Sequence, residues 1–196
     1  MSHAHRVLLK VARLIHVYLT MSGCLLILFF AVTGFMLNHE DWFLSGPEDE
    51  HHSQGVLPTG WLQPQPDKLT IVEALRKDYG VSGALNSFED NDDKEVRITF
   101  KGPGREDEVL IQREDGQTRV THKRRGWLAV LTDLHKGKEA GTVWKLLIDA
   151  VCVLLLVVSV TGLILWQSLR SRGKYGLVCL LMGLGVGVGI YCAFVP

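Results

Sequence analysis

The chain has 196 residues, 21 Lys plus Arg against 21 Asp plus Glu, and 47% hydrophobic residues. A formal charge of zero excludes a uniformly basic nucleic-acid binder and an acidic disordered chain. The average conceals the distribution: Glu40–Thr142 holds 20 acids and 14 bases, while three other stretches carry almost no charge.

The first of these runs from Leu14 to Asn38 without a charged residue. As a helix rising 1.5 Å per residue it reaches roughly 37 Å, enough to cross a hydrocarbon core of roughly 30 Å. No small-x-small cleavage site ends it, so it reads as a membrane span rather than a signal peptide. Ser45–Asp67, rich in Pro, Gly, Glu and His, reads as an irregular linker. Thr70-Ile71-Val72-Glu73 is a capping-box pattern that opens a short helix to about Tyr79. Glu95–Lys101 then alternates, with Val96, Ile98 and Phe100 on one face, and Glu108–Arg113 and Gln117–Lys123 follow as strands joined by the hairpin signal Asp115-Gly116. One helix and three or four antiparallel strands make a small α+β module. Ala150–Trp166, extended upstream by Val143–Ile148, is a second apolar run, and Leu177–Val195 a third. The expected fold class is a membrane α-helical protein of three transmembrane helices, with a small external α+β domain between helices 1 and 2.

The expected boundaries are a cytoplasmic tail at 1–13, spans at 14–39, 141–167 and 177–195, a linker at 40–67, the α+β domain at 68–140 and a cytoplasmic loop at 168–176. Orientation follows from the short basic segments. Arg6, Lys10 and Arg13 precede the first span, and Arg170, Arg172 and Lys174 join the second to the third, in both cases without acids. Both segments should face the cytoplasm, which puts the α+β domain outside. Cys24, Cys152, Cys179 and Cys192 all sit in the apolar spans, with no CxxC or Cys/His zinc spacing.

Of eight histidines, His3 and His5 read as an N-terminal tail, His51 and His52 as an acidic linker, and His122 as surface beside Lys123, Arg124 and Arg125. Three differ. His16 opens the first span and His39 follows its far end; on one continuous helix they lie roughly 35 Å apart and cannot share a ligand. His135, in Thr132-Asp133-Leu134-His135, precedes the second span and so returns to the side of His39. Two readings stay open here: interfacial hydrogen bonding at headgroup level, or axial ligation of a haem iron, with Asp133 or a backbone carbonyl orienting the second ring nitrogen.

Asp149 enters an apolar span, where a carboxylate is costly; Lys145, four residues earlier, is its expected partner, and a proton or ligand-orienting role is the alternative. Thr33-Gly34 near the end of the first span is echoed by Thr161-Gly162 in the second, small pairs that let helices or a flat cofactor approach closely. Gly183, Gly185, Gly187 and Gly189 form two overlapping GxxxG patterns, which suggest helix contact within or between protomers. No phosphate loop, nucleophile elbow or HExxH occurs. Lys123-Arg124-Arg125, at the outer membrane surface, suits lipid headgroups or an anionic ligand rather than nucleic acid.

Four stretches together resemble the bacterial PepSY-associated transmembrane helix family, in its short, single-PepSY, three-span form. They are Arg13-Leu14-Ile15-His16, Thr33-Gly34-Phe35-Met36-Leu37-Asn38-His39, the run from Arg124 to Gly137 (Arg-Arg-Gly-Trp-Leu-Ala-Val-Leu-Thr-Asp-Leu-His-Lys-Gly), and Val160-Thr161-Gly162-Leu163-Ile164-Leu165-Trp166. The resemblance implies a PepSY-like domain at 68–140 and a place in the bacterial inner membrane. Larger relatives include inner-membrane reductases that release iron from siderophores and look like haem-b proteins. That implies haem b as cofactor, with His39 and His135 as an outer-side pair and His16 as an inner-side ligand. It also implies an iron-siderophore substrate and a second protomer or membrane electron donor as partner. The departure is that no second membrane-embedded histidine lies near His16. PepSY modules are also linked to binding or restraining partner proteins, which makes a non-enzymatic interaction module the alternative.

Overall fold

The computed structural model describes residues 3–43, 49–90, 94–168 and 173–196. The chain forms two compact units, one of Leu28–Ile148 and one of Met1–Ile27 with Asp149–Pro196. In chain order come helix α1 (His3–Asn38), a single turn α2 (Glu40–Phe43), strand β1 (Asp49–Val56) and helix α3 (Lys68–Asp78). Strands β2 (Ala84–Glu89), β3 (Glu95–Gly102), β4 (Arg105–Gln112) and β5 (Gln117–Arg124) follow. Helices α4 (Trp127–Lys136), α5 (Gly141–Gln167) and α6 (Gly173–Phe194) complete the chain.

Among the described residues three helices are long and apolar enough to cross a membrane: α1, α5 and the Tyr175–Phe194 part of α6, with mean hydropathies of 2.1, 2.7 and 2.3. The protein is a multi-pass membrane protein. The tail expected at 1–13 is helical from His3, because Ala4, Leu8, Leu9, Lys10 and Ala12 are all good helix formers and nothing breaks the run into the span. Helix α5 begins at Gly141, while α6 begins a few residues before the apolar run Leu177–Val195. Arg170 and Arg172 of the loop expected at 168–176 lie outside the described residues. The few buried positions on α1 and α5 are mostly small or hydroxylated, with Ala12, Thr33, Val151 and Thr161 among them. That is the composition expected where lipid supplies no hydrophobic drive between helices.

The module between α1 and α5 is a five-stranded antiparallel sheet in the order β1-β5-β4-β3-β2. Period-two alternation places Val96, Ile98, Phe100, Val109, Ile111 and Val120 on one face, all fully buried. They meet Ile71 and Leu75 of α3, with Leu57, Leu62 and Val81 closing the cluster. Each such side chain contributes roughly 1.5–3 kcal/mol on burial. The opposite face is charged and cross-paired, as in Arg97–Glu108, Lys101–Glu106 and Lys123–Glu50.

Two expectations need correcting in this module. The stretch 40–67 is not an irregular linker throughout: Asp49–Val56 pairs along its whole length with β5, from Asp49 opposite Arg124 to Val56 opposite Gln117. Its inward positions carry His51, Ser53 and Gly55 instead of apolar residues, so it lacks the alternation that marks a strand. Helix α3 starts before Thr70, with Asp67 as N-cap; the Asp67 carboxylate accepts from the Thr70 amide at 3.3 Å and hydroxyl at 2.7 Å. Those bonds from Thr70 hold the Asp67 carboxyl below its ordinary range.

Candidate functional site

Two histidines are held by the same device. In the Leu28–Ile148 unit, His135 in the last turn of α4 lies against Thr33-Gly34 of α1, with the Thr33 Oγ1 atom 2.7 Å from His135 Nδ1. The Thr33 hydroxyl has one proton, which it donates back to the Phe29 carbonyl at 2.7 Å. It therefore accepts from Nδ1–H. A Cβ at Gly34 would stand 3.2 Å from His135 Cε1, so the glycine gives the ring room to lie on the helix. The Phe30 ring closes the edge, with centroids 5.3 Å apart.

In the other unit, His16 of α1 lies against Thr161-Gly162 of α5. Its Nδ1 is 3.1 Å from Thr161 Oγ1 and 3.1 Å from the Val158 carbonyl. A carbonyl only accepts, so Nδ1 carries the proton here as well. Thr161 in turn donates to the Val157 carbonyl at 2.7 Å. A Cβ at Gly162 would stand 3.3 Å from His16 Cε1. With Nδ1 as the bonded donor, no hydrogen bond to Nε2 of either ring occurs among the described residues. A Thr-Gly step thus seats an imidazole in both places.

The other singled-out residues are placed differently. His39 stacks on Trp42 at 4.2 Å and tilts against Phe35 at 4.6 Å, with no hydrogen bond or ring contact to His135 among the described residues. Nine residues at 100° each put it half a helical turn away from Phe30, the neighbour of His135. Asp133 does not orient His135: its Oδ2 accepts from the Gly104 amide at 2.9 Å and from Arg125 at 2.8 Å. Thr33 does that work instead. Asp149 is exposed on α5 and forms no ion pair with Lys145 among the described residues. Gly183, Gly185, Gly187 and Gly189 of α6 have nothing within 4 Å of where a Cβ would be. No group of three or more His, Cys, Asp or Glu that could hold a metal ion occurs among the described residues.

One polar cluster is absent from the sequence reading. Asp107, fully buried on the inward face of β4, accepts from the Ser82 amide at 2.8 Å, from Arg124 at 2.7 Å and from His122 Nδ1 at 3.0 Å. Burial is the largest single influence and raises its pKa, but the Ser82, Arg124 and His122 bonds together outweigh it and hold the carboxyl below its ordinary value. His122 is therefore not surface: on β5 it shares the parity of Thr118 and Val120 and faces inward. Its Nε2 is 3.5 Å from Ser53 Oγ. With Arg124 bonded to the same carboxylate oxygen, the cluster ties β5, β4 and the 80–83 turn together. The signal that could have found it is an acid, Asp107, at an inward position of an otherwise apolar alternation.

The model of the PepSY_TM-like family matches residues 10–196. The chain belongs to that family. The match runs from within α1 to residue 196 and takes in the sheet, α5 and α6. No curated protein and no solved structure matches the chain.

Proposed function

We propose that this membrane protein of the PepSY_TM-like family is a b-type haem protein that passes electrons across the membrane, with the sheet module on the periplasmic face of a bacterial inner membrane. The observation that carries the reading is the repeated seat. His135 and His16 each have Nδ1–H bonded to an acceptor and Nε2 open, the tautomer and orientation that protein-bound metals require of imidazole. The donor chemistry fits a porphyrin iron, which His135 and His16 would each hold through Nε2. Haem bound there would supply one-electron chemistry, and ferric chelates such as siderophores are the acceptor class that the family resemblance implies. The chain's own residues do the rest: Thr33 and Thr161 fix the rings, while Gly34 and Gly162 admit them. His39, in an aromatic stack with no bond fixing its tautomer, is the weaker ligand. Orientation rests on the acid-free basic segment Arg6, Lys10 and Arg13 at the start of α1.

Detergent-purified chain from haem-supplemented expression should show a reducible Soret and α-band spectrum, lost in His135→Ala and His16→Ala and blue-shifted or weakened in Thr33→Val. A colourless preparation sinks the reading. A non-enzymatic interaction module is the second reading. Its support is strand β1, a sheet edge whose outer backbone groups have no strand partner among the described residues and can accept one. A stoichiometric partner recovered with a haem-free chain would favour it.

A further inference from the structure

A cleft of about 110 Å³ lies where the β3–β4 turn meets the end of α4. Five cations line it, but three are already committed. Lys101 pairs with Glu106 at 3.4 Å, Arg125 with Asp133 at 2.8 Å, and Lys136 with Glu40 at 3.0 Å. The basic run Lys123-Arg124-Arg125 is used up in the same way, since Lys123 faces Glu50 and Arg124 is bonded to Asp107. Arg105 and Lys138 are the exception: each lines the cleft, is exposed, and has no acidic partner among the described residues. Arg105 is also positioned. It stands opposite Gly102 in the β3–β4 register, and a Cβ there would come 2.8 Å from its Nε, so the missing side chain lets the guanidinium stem lie across the strand. Glu139 is the remaining wall, a carboxylate without an ion pair among the described residues.

The cleft's level in the chain is set by its neighbours. Lys138 and Glu139 directly precede α5, which starts at Gly141, and the Lys136 partner Glu40 directly follows α1. Trp42 and Trp127 in the same unit are 69% and 70% exposed, as tryptophans at headgroup level are. We infer that this cleft binds the phosphodiester of an anionic phospholipid, with Arg105 and Lys138 on the phosphate oxygens and Glu139 accepting from a headgroup hydroxyl. Charge selects the diester over free phosphate. Two uncommitted cations beside one uncommitted carboxylate suit a single negative charge, and Glu139 repels a second. At about 110 Å³ the space takes a few waters or one phosphate group, not a folded ligand.

The test uses the full chain in detergent, with native mass spectrometry counting retained phosphatidylglycerol against phosphatidylcholine. Wild type should retain phosphatidylglycerol preferentially. Arg105→Gln and Lys138→Gln should each weaken retention about fivefold and compound in the double variant, since one cation at a membrane surface is worth about that factor. Arg119→Gln, on the open face of the sheet away from the cleft, should change nothing. Lys138→Gln alters an exposed side chain outside every element, so it remains decisive should the double variant fail to fold. Equal retention in Lys138→Gln and wild type, or no preference over phosphatidylcholine, overturns the site. Loss of wild-type lipid to inorganic phosphate at constant ionic strength would reassign it to a soluble anion and overturn the lipid assignment.

Discussion

The sheet module and the membrane helices solve the same problem, holding chain against chain, by opposite means. The module hides Phe100, Ile98, Ile111 and their neighbours completely and leaves charges outside. The spans leave most of their Leu, Val and Ile outside and hide Ala12, Gly23, Thr33 and Thr161, with Met36 and Val151 beside them. Water drives the first arrangement, because each apolar side chain gains by leaving it. In lipid that gain vanishes, and close backbone approach and polar contacts decide which faces meet. The lesson is that a hydroxyl in a span carries the kind of information that a phenylalanine carries in a soluble core.

The comparison can be broken or sharpened by substitution. The largest effect is expected from Phe100→Ala, which empties the centre of the sheet core and should cost about 3–5 kcal/mol. Pulse proteolysis of the sheet in a urea series would read it, and a cost below about 1 kcal/mol would mean that the core is not the module's main support. Next comes Asp107→Asn. The folded pKa of Asp107 lies below its ordinary value of 3.8, so the folded chain binds fewer protons than the unfolded one there. The stability this supplies is complete above about pH 4–5 and is lost as pH falls through the folded value. The variant should thus be less stable than wild type at neutral pH, with the gap closing on acidification. A gap equal at both ends of the titration would show that the charge is not what stabilises the cluster. The smallest effects belong to Thr33→Val and Thr161→Val. A polar contact of this kind is typically worth about 0.6 kcal/mol, so stability should barely move in either. The Val158 carbonyl still holds His16 Nδ1–H in Thr161→Val, and it is the His135 ring of Thr33→Val that loses its fixed tautomer. Histidine nitrogen chemical shifts in detergent would report that change, and unaltered shifts would show that the hydroxyl does not set the ring.

The same contrast explains what was legible in the chain. Span α5 and strands β3, β4 and β5 are readable because one physical period dominates each of them. Strand β1 is not, because it is an edge whose inward positions are His51, Ser53 and Gly55; at Gly55 even a Cβ would collide with the Tyr79 hydroxyl. Strand β2 hides for a related reason, since its pairing with β3 shifts register between Leu85 and Ser87 and breaks the alternation. In the candidate site, the Thr-Gly echo and the two histidines are visible as separate signals. Their pairing is not: His135 reaches Thr33 across 102 residues and His16 reaches Thr161 across 145. Asp133, adjacent to His135 in sequence, looks like the natural orienting group and is instead consumed by Gly104 and Arg125.

The pairing of β1 with β5 has a mechanical consequence. Asp49, where the chain enters the sheet from α1, stands opposite Arg124, where it leaves for α4. Tension between those two points would peel the strands apart one rung at a time rather than load all their hydrogen bonds together. The sheet thus has both of these connections at one end of the β1–β5 pair, the geometry of a zip rather than of a shear clamp.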